Sequence, residues 1–159
     1  MSYSQKKCAI LTIEDLSGFE CYDYLLLKPM NNLGWKLDFI AWDKGQIDWD
    51  QYDIVIIRST WDYQERLDEF LFVLETIDNS SAQLINSLDI VKWNINKKYL
   101  LELKQEGIDI VPSMYQEFFF SNSISLAFDH FKCKQLIIKP AVGANADNIF
   151  LLEFDSYQN

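Results

Sequence analysis

The sequence predicts an α/β protein built on a parallel sheet, and three observations lead there. Residues 8–13 (Cys-Ala-Ile-Leu-Thr-Ile), 35–42 and 53–57 are short, nearly continuous apolar runs, the pattern of strands buried on both faces. Between and after these runs lie stretches with apolar residues at helical spacing. Apolar residues make up 49% and aromatics 15% of the 159-residue chain, enough to pack a core. Strand–helix–strand alternation over roughly the first 90 residues implies three layers with right-handed crossovers.

The elements follow in order. Residues 8–13 form the first strand, broken by the loop Glu14-Asp15-Leu16-Ser17-Gly18. Tyr22, Leu25, Leu26, Met30 and Leu33 predict a helix over 22–33 that Pro29 kinks or shortens and Gly34 stops. The second strand, 35–42, runs into an Asp43-Lys44-Gly45 turn and a polar connector over 47–51. Residues 53–57 are dominated by β-branched side chains and form the third strand. Leu67, Phe70, Leu71, Val73, Leu74 and Ile77 predict a helix over 65–77, and a short strand follows at 83–86. Further on, Asn94 or Asn96 caps a helix over 97–106 that Gly107 ends. Residues 108–111 read as a strand ended by Pro112, and 124–131 as a helix. Two strands close the chain: an apolar run ending at Lys139, and 149–152, with the small-residue turn 141–148 between them.

Charge narrows the function classes. The net charge is −10. Residues 1–90 carry 16 acidic and 7 basic side chains, while residues 91–159 carry 8 and 7. An acidic surface repels nucleic-acid backbones, so no nucleic-acid partner is expected; the near-neutral second half is the one suited to an anionic ligand. No run approaches the ~18 apolar residues of a membrane span. The apolar run after Lys6 and Lys7 stops at Glu14, too early for a secretory signal. Cys8, Cys21 and Cys133 are odd in number and lack metal-ligand spacing. They read as free thiols, and the expected location is the cytoplasm. His130, the single histidine, has no partner nearby in sequence.

Two groups of residues point to chemistry. An ammonium at the end of an apolar strand is costly unless it meets an anion or water, which singles out Lys139. The strand–turn–strand shape around it can fold over a triphosphate, with backbone N–H groups and the lysine charge facing phosphate oxygens. Arg58 lies just past a buried strand, where open α/β sheets place ligands. Its planar fork can hold a substrate carboxylate. Trp61 and Tyr63 can wall such a pocket, and Asp62 can pair with Arg58 or with a substrate amine. The competing reading makes Arg58–Asp62 an internal ion pair. Asp15 and Asp23 are expected to face the same cleft.

The ordered set Ile57-Arg58-Ser59-Thr60-Trp61-Asp62-Tyr63, Trp93-Asn94 with Lys97 and Tyr99-Leu100, Val111-Pro112-Ser113 and Ile138-Lys139-Pro140-Ala141 resembles the N-terminal half of an ATP-grasp carboxylate–amine ligase. Within that superfamily it is similar to a bacterial group that includes a cycloserine-forming cyclo-ligase and is related to glutathione synthetase. The resemblance implies a parallel-sheet, Rossmann-like pre-ATP-grasp domain over 1–90 and the small α+β ATP-grasp subdomain over 91–159, without the large catalytic subdomain. It implies ATP and Mg²⁺ as cofactors. Lys97, Lys139, Gly143, Ala144, Asn145 and Asn148 would then meet the nucleotide, and Arg58, Trp61, Asp62 and Tyr63 an amino-acid or peptide-like substrate. No catalytic residue or metal ligand is expected in this chain, because the family's Mg²⁺ ligands follow the phosphate turn at a distance.

Two functions follow from the resemblance. One is the N-terminal part of a ligase working through an acyl phosphate, inactive alone, with a homodimer or a complementing second chain as the expected assembly. The other is a non-catalytic nucleotide-binding or protein-interaction module of the same fold. The turn departs from the family pattern. It has only Gly143 where relatives are glycine-rich, and Asp147 would repel a triphosphate unless a cation screened it.

Overall fold

The computed structural model describes residues 5–157, without the side chains of the last two. Backbone packing divides the chain into two units, one ending at Lys92 and the next beginning at Trp93.

The first unit is a four-stranded parallel sheet in the order β2-β1-β3-β4. Strand β1 (Lys6–Thr12) is central and pairs with β2 (Trp35–Ala41) on one side and β3 (Ile54–Ser59) on the other. Strand β4 (Gln83–Ile85) is the far edge. Cys8, Ala9, Ile10 and Leu11 are all fully buried, so β1 is covered on both faces, as its unbroken apolar run requires. Helix α1 (Leu27–Asn32) follows a 3₁₀ turn over Asp23–Leu26. Pro29 is accommodated within the first turn of α1, where a missing N–H costs no hydrogen bond. Leu26 and Met30 cover Cys8, Ile10 and Leu37. Helix α2 (Leu67–Asp78) buries Phe70, Leu74 and Ile77, a stripe at i, i+4 and i+7. The crossovers β1-α1-β2 and β3-α2-β4 step in opposite directions along the sheet, so right-handed connections put the two helices on opposite faces.

The second unit holds α4 (Tyr99–Gln105), α5 (Ser123–Phe131), the antiparallel pair β5 (Gln135–Ile138) and β6 (Phe150–Glu153), and a last short helix α6 (Phe154–Tyr157). Helix α3 (Leu88–Asn94) runs up to and across the division between the units. Phe128, buried in α5, packs edge-on against Phe154 with ring centroids 5.3 Å apart. Asn96 is the residue that turns the chain into α4: its Oδ1 accepts the Lys98 N–H at 3.0 Å.

Two expectations are corrected. Residues 108–111 form no strand; an extended apolar segment stays irregular when no neighbouring strand pairs with it. Helix α3 was not anticipated. Of its residues only Val91 is buried, while Ile90 and Trp93 stand largely exposed, so it lacks the apolar stripe that advertises a helix. No helix among the described residues is long and apolar enough to cross a membrane.

Candidate functional site

In the first unit the strand order reverses between β1 and β3, and the carboxyl ends of these strands are where such sheets open a crevice. The local pairing is irregular at that point. Leu11 pairs with Ile57 but Thr12 pairs with Ser59, so Arg58 is an extra residue bulged out of the ladder. Bulges of this kind re-aim a side chain at a strand end.

Arg58 does not wait for a carboxylate from outside; it already holds one. Its Nε donates to Asp23 Oδ1 at 2.9 Å and its Nη2 stands 2.8 Å from the same oxygen. Ser59 Oγ donates to Asp23 Oδ2 at 2.6 Å, and Cys21 Sγ lies 3.3 Å from Ser59 Oγ. Asp23 is 3% exposed. Burial alone would raise its carboxyl, but the hydrogen bonds from Ser59 and Arg58 and the Arg58 charge outweigh it and hold the group below the ordinary carboxylate range.

The other expected substrate residues separate. Asp62 does not pair with Arg58: its Oδ1 accepts the Trp42 indole N–H at 2.6 Å, and its Oδ2 faces Arg66 Nη2 at 3.5 Å. The Arg66 guanidinium also lies over the Trp42 ring, 4.6 Å from its centroid, and bonds Asp43 at 2.7 Å. Tyr63 packs on Phe70 at 5.3 Å, and burial raises its phenol above the usual range. Trp61 lies 5.0 Å from Phe19. Asp15 caps its own turn, accepting the Ser17 N–H at 2.8 Å.

Beside the Asp23 cluster is a cavity of about 330 Å³. Thr12, Leu16, Phe19, Tyr24 and Phe39 line it, with Cys21 and Asp23. Of these lining residues, sequence reasoning placed only Asp23 at the cleft, together with Asp15, which the cavity lining does not include. Thr12 passed as one more residue of an apolar run, and Cys21 as a plain thiol.

In the second unit Lys97 is tied to the turn after β5 twice over. Its backbone N–H donates to the Ala141 carbonyl at 2.8 Å. Its Nζ donates to the Gly143 carbonyl at 3.1 Å and reaches Ala141 O at 3.5 Å. The neighbouring Lys98 ammonium sits over the Tyr115 ring at 5.4 Å instead. Burial, and then the charge of Lys139, push the Lys97 ammonium below the ordinary lysine range. Trp93 steadies this segment, with its ring 5.0 Å from Tyr99 and its indole N–H on Glu102 at 2.7 Å.

The turn is built differently from the expected glycine loop. Gly143 has ordinary backbone, whereas Asn145, Ala146 and Asn148 adopt left-handed φ of 52°, 62° and 55°. The Asp147 N–H closes on the Ala144 carbonyl at 3.0 Å. Two ammonium groups that repel each other, one partly desolvated, leave positive charge that an anion would relieve, so the residues present fit a polyphosphate. They do not fit the metal: among the described residues no three His, Cys, Asp or Glu side chains are grouped to hold an ion. His130 packs edge-on against Phe131 at 4.8 Å.

Comparison with known proteins bears on the fold. Residues 8–86 match the family model described as D-cycloserine synthetase DcsG, N-terminal domain. The cycloserine biosynthesis protein DcsG of Streptomyces lavendulae is 31% identical over 88 residues, which are 55% of this chain and 29% of that protein. The crystal structure of D-cycloserine synthetase DcsG superposes with a TM-score of 0.80 at 23% identity, covering 96% of this chain and 52% of the other. D-alanyl-alanine synthetase A from Vibrio cholerae O1 biovar eltor gives 0.66 at 13% identity, over 98% and 54%. The chain therefore spans about half the length of these solved structures and less than a third of the matched curated relative. Residues 8–86 are thus similar to the DcsG N-terminal domain, and the chain shares its α/β fold with about half of each of the two solved synthetases.

Proposed function

We propose that the chain provides the N-terminal part of an ATP-dependent carboxylate–amine ligase that works through an acyl phosphate. The observation that carries this reading is the seating of Lys97 on the turn after β5, within the field of Lys139. Bound ATP would supply the phosphoryl group that activates the carboxylate. The chain's own part is to hold the polyphosphate. Lys97 and Lys139 offer point charges, and residues 143–148 offer backbone N–H groups in a turn whose left-handed residues bend it tightly. For Lys97 to meet phosphate, its Nζ must exchange the Gly143 and Ala141 carbonyls for phosphate oxygens.

Phosphoryl transfer needs a divalent cation beside the phosphates. The family's ligands for it lie beyond the half that this chain covers. On this reading turnover requires those residues as well, from the same polypeptide or another, and the protein acts in the cytoplasm on an amino-acid or peptide-like substrate.

One observation favours the alternative, a non-catalytic binding module: the Arg58 fork is already closed on Asp23, so carboxylate recognition there would first have to break a half-buried pair. Calorimetric titration with ATP, with and without Mg²⁺, separates the two. The ligase reading expects weak binding that Mg²⁺ barely alters, and phosphoryl transfer only once the metal-bearing half is added. Loss of binding in both conditions, with no transfer after that addition, rejects it.

A further inference from the structure

Helix α2 buries Phe70, Leu74 and Ile77 on the side facing the sheet, yet its outer side is not uniformly polar. Phe72 lies two positions from both Phe70 and Leu74, across the helix from that stripe, and is 68% exposed. It borders a groove of about 860 Å³ lined by α2 and by the connector that follows β2. Ile47 and Val73 line the groove with it, whereas Trp42 and Trp49, also in the lining, are only 2% and 6% exposed. Apolar surface left bare in a concave site of this size marks a place where something docks.

The charge around the groove is one-sided. Asp43, Asp68 and Glu69 line it against a single base, Arg66. Residues 43–53 and 62–78, the segments that supply most of the walls, carry 10 acidic and 2 basic side chains, a net −8 of the −9 carried by residues 1–90. That concentration attracts a cationic partner and repels nucleic acids and anionic membranes. It also disfavours a second copy seated face to face, because an isologous contact sets the same excess against itself.

A small organic cation fits less well than a chain. The ring that would hold it is taken: the Arg66 guanidinium lies over Trp42, 4.6 Å from the centroid, braced by Asp43 at 2.7 Å and by Asp62 and Glu69 at 3.5 Å. Asp68, Phe72 and Thr76 fall at i, i+4 and i+8 on α2, so that wall runs for about 12 Å along the helix axis. An elongated apolar strip with an acidic rim suits a helix that has one apolar and one basic face.

We propose that the groove between α2 and the 42–49 connector docks a cationic amphipathic helix of a partner protein. Its apolar stripe covers Phe72, Ile47 and Val73, and its lysines or arginines face Asp43, Asp68 and Glu69. The surface lies wholly in the first unit and does not depend on nucleotide binding in the second.

The test titrates the full chain in low salt with three helical peptides of about 14 residues. One carries a leucine stripe and a lysine face, one the same stripe with a glutamate face, and one the lysine face with alanine in place of leucine. Benzylamine serves as the small cation. Fluorescence anisotropy reads peptide affinity, and amide NMR shifts read benzylamine binding and the place of contact. The leucine–lysine peptide should bind at roughly 10 μM Kd, with shifts confined to residues 42–49 and 66–76, and the other three probes at least tenfold more weakly. Asp68→Asn/Glu69→Gln should weaken it about tenfold, and Phe72→Gln alone about tenfold. These side chains are exposed, so both variants should keep the parent's circular dichroism spectrum. Glu106→Gln/Asp129→Asn, which removes two exposed charges from the second unit, should leave the affinity unchanged. The proposal is overturned if the leucine–lysine peptide shifts no groove amide, or if any other probe binds as tightly. It is equally overturned if the groove variants bind unchanged, or if the second-unit variant weakens binding as much as they do.

Discussion

Removing the Asp23 carboxylate should be the most damaging single change at the sheet's carboxyl edge. Asp23 accepts from Arg58 Nε at 2.9 Å and from Ser59 Oγ at 2.6 Å, and Arg58 Nη2 stands 2.8 Å away. A hydrogen bond to a charged group contributes about 1.5–3 kcal/mol. The Ser59 contact is buried and keeps its full share. Half of the Arg58 side chain, 49%, is exposed, so its share is discounted toward that of a surface pair. Asp23→Ala should then cost about 3 kcal/mol, including the small cavity it leaves. In a double-mutant cycle with Arg58→Ala the two positions should couple by about 1–2 kcal/mol. Urea denaturation followed by far-UV circular dichroism measures both quantities. The sign with pH is also set. A carboxyl held below its ordinary range stabilises the fold above the unfolded pKa, near 3.8; that stability disappears as pH falls through the folded pKa, and Asp23→Asn should lack this loss. A cost under about 0.5 kcal/mol with no coupling would refute the reasoning and return Arg58 to the role of a free carboxylate clamp.

Four further outcomes follow from the same geometry. Gly143→Ala should change stability by less than about 0.5 kcal/mol, since the added Cβ would meet Pro140 Cβ at 3.6 Å and Lys97 Nζ at 3.8 Å, ordinary contacts; Ala146→Gly, at a φ of 62°, should stabilise by about 0.5–1 kcal/mol, both by thermal melts. Burial pushes the Cys8 thiol up to about 11, so in the native protein a thiol reagent at pH 8 should label Cys21 and Cys133 but leave Cys8 untouched until urea is added. For Lys97, a base with a lowered folded pKa, the folded state releases its proton first. Stability should therefore rise with pH in the window just below 10.5 relative to Lys97→Met, as difference melts across that range would show.

How far the sequence foretold this molecule differs from element to element. The strands at 6–12, 35–41 and 54–59 were legible to within a residue or two because residues buried on both faces leave unbroken apolar runs. The segment 108–111 looked the same in composition and failed, because a strand depends on a neighbour and single-sequence patterns do not show pairing. Lys97 and Lys139 are 42 positions apart in the numbering, and only the family resemblance put them together; in the structure burial comes first and the Lys139 charge second in holding the Lys97 ammonium below the ordinary lysine range. Arg58 was found by its place at a strand end, but its partner was not. Asp62 is close in sequence, whereas Asp23 lies 35 residues away across a helix and a strand.

The central functional claim is that Lys97 and Lys139 share one polyphosphate at the turn of residues 141–148. Titrating the isotope-labelled chain with inorganic tripolyphosphate in low salt tests it without any substrate or metal. The account predicts amide shifts confined to Lys97, Lys139 and the turn, saturating at roughly millimolar concentration and abolished in the Lys97→Met/Lys139→Met double variant while the first unit's spectrum is unchanged. Shifts that survive the double variant, or a turn that never responds, would contradict it.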